Sequence, residues 1–203
     1  MRMSMVPACV FALTLCAAQG EAQLQKFPSF PAKTCGVQCG SERWIVKALA
    51  DGDAGKVDLT PQTATVADML KLVRPPSSQL PIDGRFEPVE LKTFKVVATL
   101  AGFKLEDDHD FHLVIADPAN SKSTFIAEIP DPGCSRVCQS KQVAQIKAAR
   151  DKFVAKLGQP GAFKTVKVPV TITGVAFFDF RHGQTGVAPN AIELHPVVDI
   201  EFQ

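Results

Sequence analysis

Apolar and polar residues alternate most regularly near the end of the chain, in two segments joined by a polar loop. Residues 164–180 and 193–202 both repeat with a period of two, which is the pattern of a β-strand with one buried face. The loop between them, residues 181–192, contains two glycines and a proline that favour defined turns. These features predict two long strands connected by an ordered loop.

Three further strands are predicted earlier in the chain. The first, Val89–Leu105, is long and contains Gly102, where the strand would bend as closure of a barrel requires. The second and third strands, Phe111–Ala116 and Ser123–Ile129, are separated by turn-forming residues.

One long helix is predicted over Ser140–Leu157, where apolar residues recur at helical spacing. Ser140 is the expected N-cap of this helix and Gly158 its expected stop. The resulting order of three strands, a helix and two strands is the order of an OB-type barrel. We therefore expect a mainly β fold with one long helix, built as an OB-like five-stranded barrel (β-β-β-α-β-β) over residues 86–203.

Residues 23–85 are expected to form an N-terminal arm, because they carry too few apolar residues for a core of their own. Within the arm, the pattern of Glu42–Leu49 predicts a short strand. Thr65 and Asp68 have the spacing of a capping box at the start of a short helix. We expect the arm to wrap around the barrel and to be fastened to it by cysteine.

Residues 1–22 have the pattern of a secretory signal peptide, in which Arg2 precedes an apolar run at residues 6–18. The run is shorter than the roughly 20 residues that a membrane-spanning helix needs. Leu15 occupies the position where lipid attachment to Cys16 would need a small residue, so lipidation is not expected. The protein is therefore expected to be secreted or periplasmic, without a membrane span.

Four of the six cysteines follow this signal: Cys35, Cys39, Cys134 and Cys138. An even number in an exported chain favours disulfides, although two Cys-x-x-x-Cys pairs also have the spacing of a zinc site. We expect at least one bridge between the first pair and the second. Such a bridge closes a loop of about 100 residues and contributes up to about 4.7 kcal/mol in the chain-entropy model.

The composition of the 203 residues, with 46% hydrophobic and 21% charged residues, fits a globular protein with one substantial core. A net charge of +1 gives no electrostatic footprint for nucleic acid or for an anionic membrane. The chain lacks the Gly-x-Ser-x-Gly, P-loop, His-Glu-x-x-His and dinucleotide-binding motifs. Their absence disfavours the common hydrolases and the nucleotide-dependent enzymes.

The turn at residues 106–110 carries the first candidate chemistry. Clustered carboxylates and imidazoles can hold a divalent cation, although a solvated hairpin turn accounts for the same residues. The metal candidates are Asp107, Asp108, His109, Asp110 and His112. No other cofactor is expected.

The loop at residues 181–192 carries the second candidate chemistry. In an OB-type barrel this loop lies beside the loop between the first two strands, so His182 would approach Asp108 or His109. The alternative is a loop that only orders its own turns. The expected ligand-binding residues are Arg181, His182, Gln184, Thr185, Asn190, Asp108 and His109.

The last strand carries a further polar set at alternate positions. Its members are Glu193, His195, Asp199 and Glu201. Because polar residues at every second position of a strand usually face water, we expect this set to form a solvated face.

The C-terminal block resembles a family of exported bacterial proteins for which no activity is established. The segments that carry the resemblance are 175–180, 182–190 and 192–197, with weaker similarity at 42–47, 104–108 and 126–130. The resemblance implies export and assigns no catalytic residue. More loosely, the fold is similar to the barrel of secreted staphylococcal-type nucleases, whose acidic metal ligands the turn at 106–110 would match. This chain has no arginine pair in the second or third strand, which departs from the nuclease pattern.

These observations favour an exported, non-enzymatic binding module that uses residues 106–110 and 181–192. Its expected ligand is an oligosaccharide or a protein, and nucleic acid is a less favoured partner because of the net charge. The alternative is a metal-dependent phosphodiester hydrolase with an acidic and histidine-containing site on the same loops.

Overall fold

The computed structural model of this protein describes residues 36–159 and 161–203. The expected signal peptide at residues 1–22, with Cys16, and Cys35 of the arm lie outside these residues. The described part of the chain holds six strands in one sheet and one long helix, so the predicted mainly β fold is confirmed.

The strands follow the sequence-based expectation closely, with one additional strand in the arm. They are β1 (Asp58–Ala64), β2 (Lys92–Leu105), β3 (Phe111–Ala116), β4 (Thr124–Ile129), β5 (Lys164–Phe178) and β6 (Ile192–Phe202). The order in the sheet is β1-β2-β3-β4-β6-β5, and β2 also pairs with β5. The register of β2 shifts between Leu100 and Gly102, where a bend was predicted.

The pairings form a closed ring, because β2, β3, β4, β6 and β5 each have two partners within this set. The β4–β6 pairing is parallel and the other pairings of the ring are antiparallel. The first part of β2 pairs in parallel with β1, and its second part pairs with β3.

Three α-helices occur in the described residues, namely α1 (Trp44–Lys47), α2 (Val66–Lys71) and α3 (Val143–Leu157). Short 3-10 helices cover Ala54–Lys56, Ser77–Gln79, Val89–Leu91 and Val137–Gln139. Among the described residues, none of the helices has the length and apolar character that crossing a membrane requires.

Helix ends follow local capping rules except where the arm intervenes. The predicted capping box is present, since Thr65 Oγ1 accepts from the Asp68 amide at 3.1 Å and Asp68 Oδ2 accepts from the Thr65 amide at 3.0 Å. The prediction of Ser140 as N-cap of α3 is wrong. Gln142 is the N-cap, because the helix begins at Val143; the Ser140 hydroxyl accepts from the Gln142 amide at 3.3 Å and donates to the Leu49 carbonyl oxygen of the arm at 2.9 Å.

The predicted strand at Glu42–Leu49 is wrong, because this segment contains the single helical turn α1. Trp44, Val46 and Ala48 are all buried, and this spacing of two is what resembled a strand in the sequence. The turn is formed by backbone bonds such as Ala48 to the Trp44 carbonyl at 2.9 Å, and Arg43 precedes it in the left-handed region with φ of 50°. Tertiary contacts of Arg43, rather than local propensity, fix this geometry.

Two buried ion pairs hold the arm in place, and we call them the arm clasp: Arg43 of the arm with Glu90, which precedes β2, and Arg85 with Asp51, both within the arm. The Arg43 guanidinium donates to both Glu90 oxygens at 2.8 and 2.7 Å, and to the carbonyls of Pro81, Gly84 and Phe178 at 2.7–2.9 Å. Arg85 donates to both Asp51 oxygens at 3.2 and 2.7 Å. All four side chains are fully buried.

A disulfide supplements the arm clasp. Cys39 is bonded to Cys134 across a sequence separation of 95 residues. This bond confirms the expected bridge between the two cysteine pairs, and Cys138 is disulfide-bonded as well. Side chains of the arm, including Trp44 and Met69, belong to the same buried apolar cluster as the strands of the ring.

Candidate functional site

A cleft of about 540 Å³ lies where the turn at residues 106–110 meets the loop at 181–192. The two polar bends that the sequence analysis expected to be neighbours therefore face one space. The lining residues are Gly40, Ser41, Glu42, Trp44, Lys47, Glu106, Asp107, Asp108, Glu128, Asp179, His182 and Gln184. Six of these residues are carboxylic acids and one is a lysine, so the lining is strongly acidic.

The loop after β5 is held in place at two positions, Gly186 and Asn190. Gly186 has φ of 90°, and a Cβ atom there would lie 2.7 Å from the Val114 side chain, so the loop backbone packs directly on β3. Asn190 donates through its side-chain amide to the carbonyls of Met69 and Leu72, both at 2.9 Å. The loop is thus positioned by the sheet and by the end of α2.

Three side chains on the outer face of β3, β4 and β6 and two from the turn between β2 and β3 form a row of alternating carboxylates and imidazoles beneath the cleft. We call it the His–carboxylate row: Glu106, His112, Glu128, His195 and Asp110. The cross-strand pairing of His112 with Glu128 places these two side chains side by side, and the parallel pairing of β4 with β6 places His195 next.

The row is closely spaced from end to end. Glu106 Oε1 lies 3.4 Å from His112 Nδ1, and Glu128 Oε1 lies 3.2 Å from the same nitrogen. On the other side of Glu128, Oε2 lies 3.0 Å from His195 Nδ1, and His195 Nε2 lies 3.2 Å from Asp110 Oδ2. Only the Glu106 end has appreciable exposure, at 26% of its side chain.

The expectation that Glu193 and His195 lie on a solvated face is wrong, since they are 1% and 0% exposed. The reason is the position of the arm, which covers this end of β6 on the outside of the ring. Phe177 of β5 packs against His195 with ring centroids 5.7 Å apart. Lys47 of α1 packs on the same Phe177 ring, with its Nζ 5.5 Å from the ring centroid. Farther along β6, Glu201 is exposed as expected.

Burial and mutual attraction act in opposite directions on the pKa values in the row. For His195, burial lowers the pKa, but Asp110 and Glu128 outweigh it and raise the pKa to about 10. For Glu128, burial raises the pKa, but His112 and His195 outweigh it and hold the pKa well below its usual range. For Asp110, burial dominates over the attraction of His195 and raises the pKa to about 6.

Some of the short contacts in the row are not aligned as hydrogen bonds. Neither ring nitrogen of His195 and neither oxygen of Asp110 makes a well-directed hydrogen bond to another described residue. The contacts at 3.0 and 3.2 Å are therefore ion pairs rather than aligned hydrogen bonds. His112 differs, because its Nε2 lies 2.9 Å from the Thr185 carbonyl oxygen and must donate to it.

A second pair of buried charges lies beside the row. Lys47 Nζ is 3.0 Å from Asp179 Oδ2, and although burial lowers its pKa, the carboxylates around it raise the pKa above its usual value. Glu193 has no strong partner: burial, with the repulsion of Asp179 and Glu128, raises its pKa well above the usual range. Its Oε2 makes no hydrogen bond to any described residue.

The residues proposed from sequence as ligand contacts divide into three groups. Asp108, His182 and Gln184 line the cleft, together with the metal candidate Asp107, and His182 Nε2 lies 2.7 Å from Glu42 Oε2. Thr185 contributes its backbone carbonyl to His112, and Asn190 and Arg181 bond to carbonyls of the protein itself. His109 lies outside the cleft lining, 3.8 Å from Asp131.

Several site residues were missed by the sequence analysis: Glu42, Lys47, Glu128 and Asp179. Glu128 carried a usable signal, because it is the single charged residue within the apolar strand Phe125–Ile129 and lies opposite His112 in a hairpin register. A buried charge within an apolar strand requires a partner, which points to a polar cluster. Lys47 and Asp179 carried no comparable signal.

Three sets of donor atoms among the described residues are close enough to share a cation, with all atoms within 4.8 Å. They are Glu42–Asp179–His182, Glu106–His112–Glu128 and Asp110–Glu128–His195. In the third set, His195 faces the two carboxylates with opposite ring nitrogens, so a single ion would have to replace one of these two close contacts. The grouping of His109 with Cys39 and Cys134 is excluded, because both sulfurs are in the disulfide.

No protein-family model matches the chain, and no curated protein sequence matches it. Among solved structures, the chain is similar to the crystal structure of a putative aspartyl-tRNA synthetase from Leishmania major Friedlin, with 13% identity and a TM-score of 0.39. The similarity covers 72% of this chain and 21% of that chain. A likeness at this TM-score supports no conclusion about fold or function, and the resemblance to exported bacterial proteins stays a prediction.

Proposed function

We propose that this protein is an exported, non-enzymatic binding module that holds a protein ligand by a basic side chain in the cleft. The observation that carries the proposal is the acidic lining, with six carboxylic acids and one lysine. Lys47 is paired with Asp179 at 3.0 Å and Lys104 with Glu106 at 2.9 Å, so the six carboxylic acids outnumber the lysines at the cleft. A lysine or arginine side chain of a ligand would find opposite charge in a partly desolvated space, where such pairing is stronger than in water.

The proposed fold is an OB-type barrel. The ring order β2-β3-β4-β6-β5, with α3 between β4 and β5, supports it, because this is the strand order and helix position of that architecture. The loops after its first and fourth strands are common binding loops in that architecture. Here they correspond to residues 106–110 and 181–192, which border the cleft. The disulfide between Cys39 and Cys134 supports export to an oxidising compartment.

A protein ligand is favoured over the oligosaccharide that the sequence also suggested. Sugar sites commonly present an aromatic face, but Trp44, which borders the cleft, is only 4% exposed and donates its indole N–H to the Ser135 carbonyl at 3.1 Å. The acidic charge would contribute little to a neutral sugar.

Titration with short peptides tests the proposal. A tetralysine peptide should bind saturably at low ionic strength, and binding should weaken with added salt because exposed charges are screened. The variant carrying Glu42→Gln and Asp108→Asn should lose most of this binding. Asp151→Asn is the matched control, since Asp151 is an exposed carboxylate on α3, paired with Lys147. Binding of a neutral tetrasaccharide but not of tetralysine, or equal peptide binding by the double variant, would refute the proposal.

The alternative, a metal-dependent phosphodiester hydrolase, is supported by one observation, the convergence of Glu106, His112 and Glu128 on a small volume at the cleft. Hydrolysis of bis(p-nitrophenyl) phosphate in the presence of Zn²⁺ or Mn²⁺ would favour this alternative if Glu106→Gln abolished it. We expect no such hydrolysis.

A further inference from the structure

We propose that Glu106, His112 and Glu128 bind a zinc ion at the floor of the cleft. The three residues come from different parts of the ring: Glu106 from the turn after β2, His112 from β3 and Glu128 from β4. Two of them line the cleft and the third is fully buried beneath it. The inference concerns the metal alone and does not depend on which ligand the cleft takes.

The tautomer of His112 is the first argument. Its Nε2 must carry a hydrogen, because it lies 2.9 Å from a carbonyl oxygen, that of Thr185. In the neutral ring Nδ1 therefore presents a lone pair, and it faces Glu128 Oε1 at 3.2 Å and Glu106 Oε1 at 3.4 Å. Three electron-rich atoms this close favour a cation between them, either a proton on Nδ1 or a metal ion that replaces it, in addition to the Lys104 ammonium 2.9 Å from Glu106 Oε1.

The spacing of the donors is the second argument. Zinc binds imidazole nitrogen and carboxylate oxygen at roughly 2.0–2.2 Å in a tetrahedron, which sets the donors about 3.4 Å apart. The distances from His112 Nδ1 to the two carboxylate oxygens, 3.2 and 3.4 Å, fit this geometry. Three protein donors leave the fourth position open, and here the open side faces the cleft because Glu106 and Glu128 line it.

The surroundings of the donors are the third argument. Metal-binding histidines commonly donate their other ring N–H to a carbonyl, as His112 does to Thr185. Glu128 has an outer partner too: His195 is completely buried, and its Nδ1 lies 3.0 Å from Glu128 Oε2. A wholly buried imidazole packed against the far oxygen would restrict the orientation of that carboxylate.

The donor types select the metal. Imidazole with carboxylates suits zinc, whereas Ca²⁺ and Mg²⁺ prefer sites built of oxygen alone. Lys104 Nζ lies 2.9 Å from Glu106 Oε1, but its side chain is 32% exposed and can move into solvent when an ion enters. The rival set of Glu42, Asp179 and His182 is weaker, because Lys47 already occupies Asp179 and the His182 side chain is 42% exposed.

The test is competition for Zn²⁺ between the EDTA-treated, dialysed protein and a chromophoric chelator. We expect one equivalent of zinc per chain. Glu106→Gln should weaken the affinity at least tenfold, since removal of even an outer-shell partner costs 10- to 100-fold. Glu42→Gln is the matched control on the rival set and should leave the affinity unchanged. Glu106 is partly exposed, so its variant should fold, which circular dichroism verifies.

Substitution with Co²⁺ gives a second readout. The wild-type protein should show the intense visible absorption of four-coordinate cobalt, and Glu106→Gln should lose it. Failure of the folded wild-type protein to take up Zn²⁺ would overturn the proposal. So would zinc binding that is lost in Glu42→Gln but kept in Glu106→Gln. Tetralysine binding is measured separately, so the fate of the proposed ligand function does not affect this result.

Discussion

The arm clasp and the His–carboxylate row are both groups of buried charges, but they are organised differently. In the clasp, the Arg43 guanidinium has an acceptor for each of its bonds, and both Glu90 oxygens are used. In the row, the side chains of His195 and Asp110 are equally buried yet make no well-directed hydrogen bond to another described residue. Fully satisfied buried charges fix a structure, whereas incompletely satisfied ones keep the capacity to take up a proton or an ion. The difference separates the part that holds the fold from the part that we assign to function.

The largest effect is expected from breaking the clasp. Arg43→Met leaves Glu90 buried and without its partner, and should lower the free energy of unfolding by about 3–5 kcal/mol. Urea denaturation measures this change. Lys147→Met is the control, because Lys147 and Asp151 form an exposed pair with side chains 61% and 64% accessible. That variant should change stability by less than about 0.5 kcal/mol. Similar losses in both variants would contradict a structural role for the clasp.

The loop at residues 181–192 also contains one residue that holds the fold, Asn190, and one that faces the cleft, His182. Asn190 bonds two backbone carbonyls of the arm, those of Met69 and Leu72, so Asn190→Ala should cost about 1–3 kcal/mol of stability. His182 is 42% exposed and paired with an exposed carboxylate, so His182→Ala should cost less than about 1 kcal/mol. Thermal unfolding of both variants measures the difference, and the reverse order would mean that His182 serves the fold.

The pH dependence of stability tests a further buried charge, Glu193, which lies beside the row. Burial raises its pKa in the folded protein, so the folded state keeps the proton to higher pH than the unfolded chain, whose pKa is about 4.3. The stability that this group contributes is therefore complete below the unfolded pKa and is lost as the pH rises through the folded pKa. The substitution Glu193→Gln should remove this loss of stability at higher pH, because glutamine does not ionise.

At neutral pH the Glu193→Gln variant should be more stable than the wild type. The gain is about 1.4 kcal/mol for each unit by which the folded pKa exceeds the unfolded one, up to the pH of the measurement. Urea denaturation over a range of pH checks this expectation. Glu201→Gln, an exposed position on the same strand, should leave the pH dependence unchanged. If the difference in unfolding free energy between the wild type and Glu193→Gln does not change with pH, Glu193 stays ionised in the folded protein with a compensating partner.

The regular elements were predictable because their signals are local. The period-two pattern placed β6 within a residue of its observed bounds, turn-forming residues delimited β3, and the Thr65–Asp68 spacing located the start of α2. The meeting of the two loops followed from the predicted strand order. Segments whose shape depends on distant partners were mispredicted, as the strand predicted at Glu42–Leu49 shows.

The sequence by itself determined the strands, the long helix and the polar character of the two bends, because alternation and turn chemistry act between near neighbours in the chain. Only the tertiary structure decided which polar residues became the site. His195 has the pattern of a surface residue, and it is buried among Phe177, Glu128 and Asp110. Glu128 gained its histidine neighbours through strand pairing. Burial removes water as a partner, so charges that would otherwise be solvated must find one another, and that constraint arises only once the arm has closed over the ring.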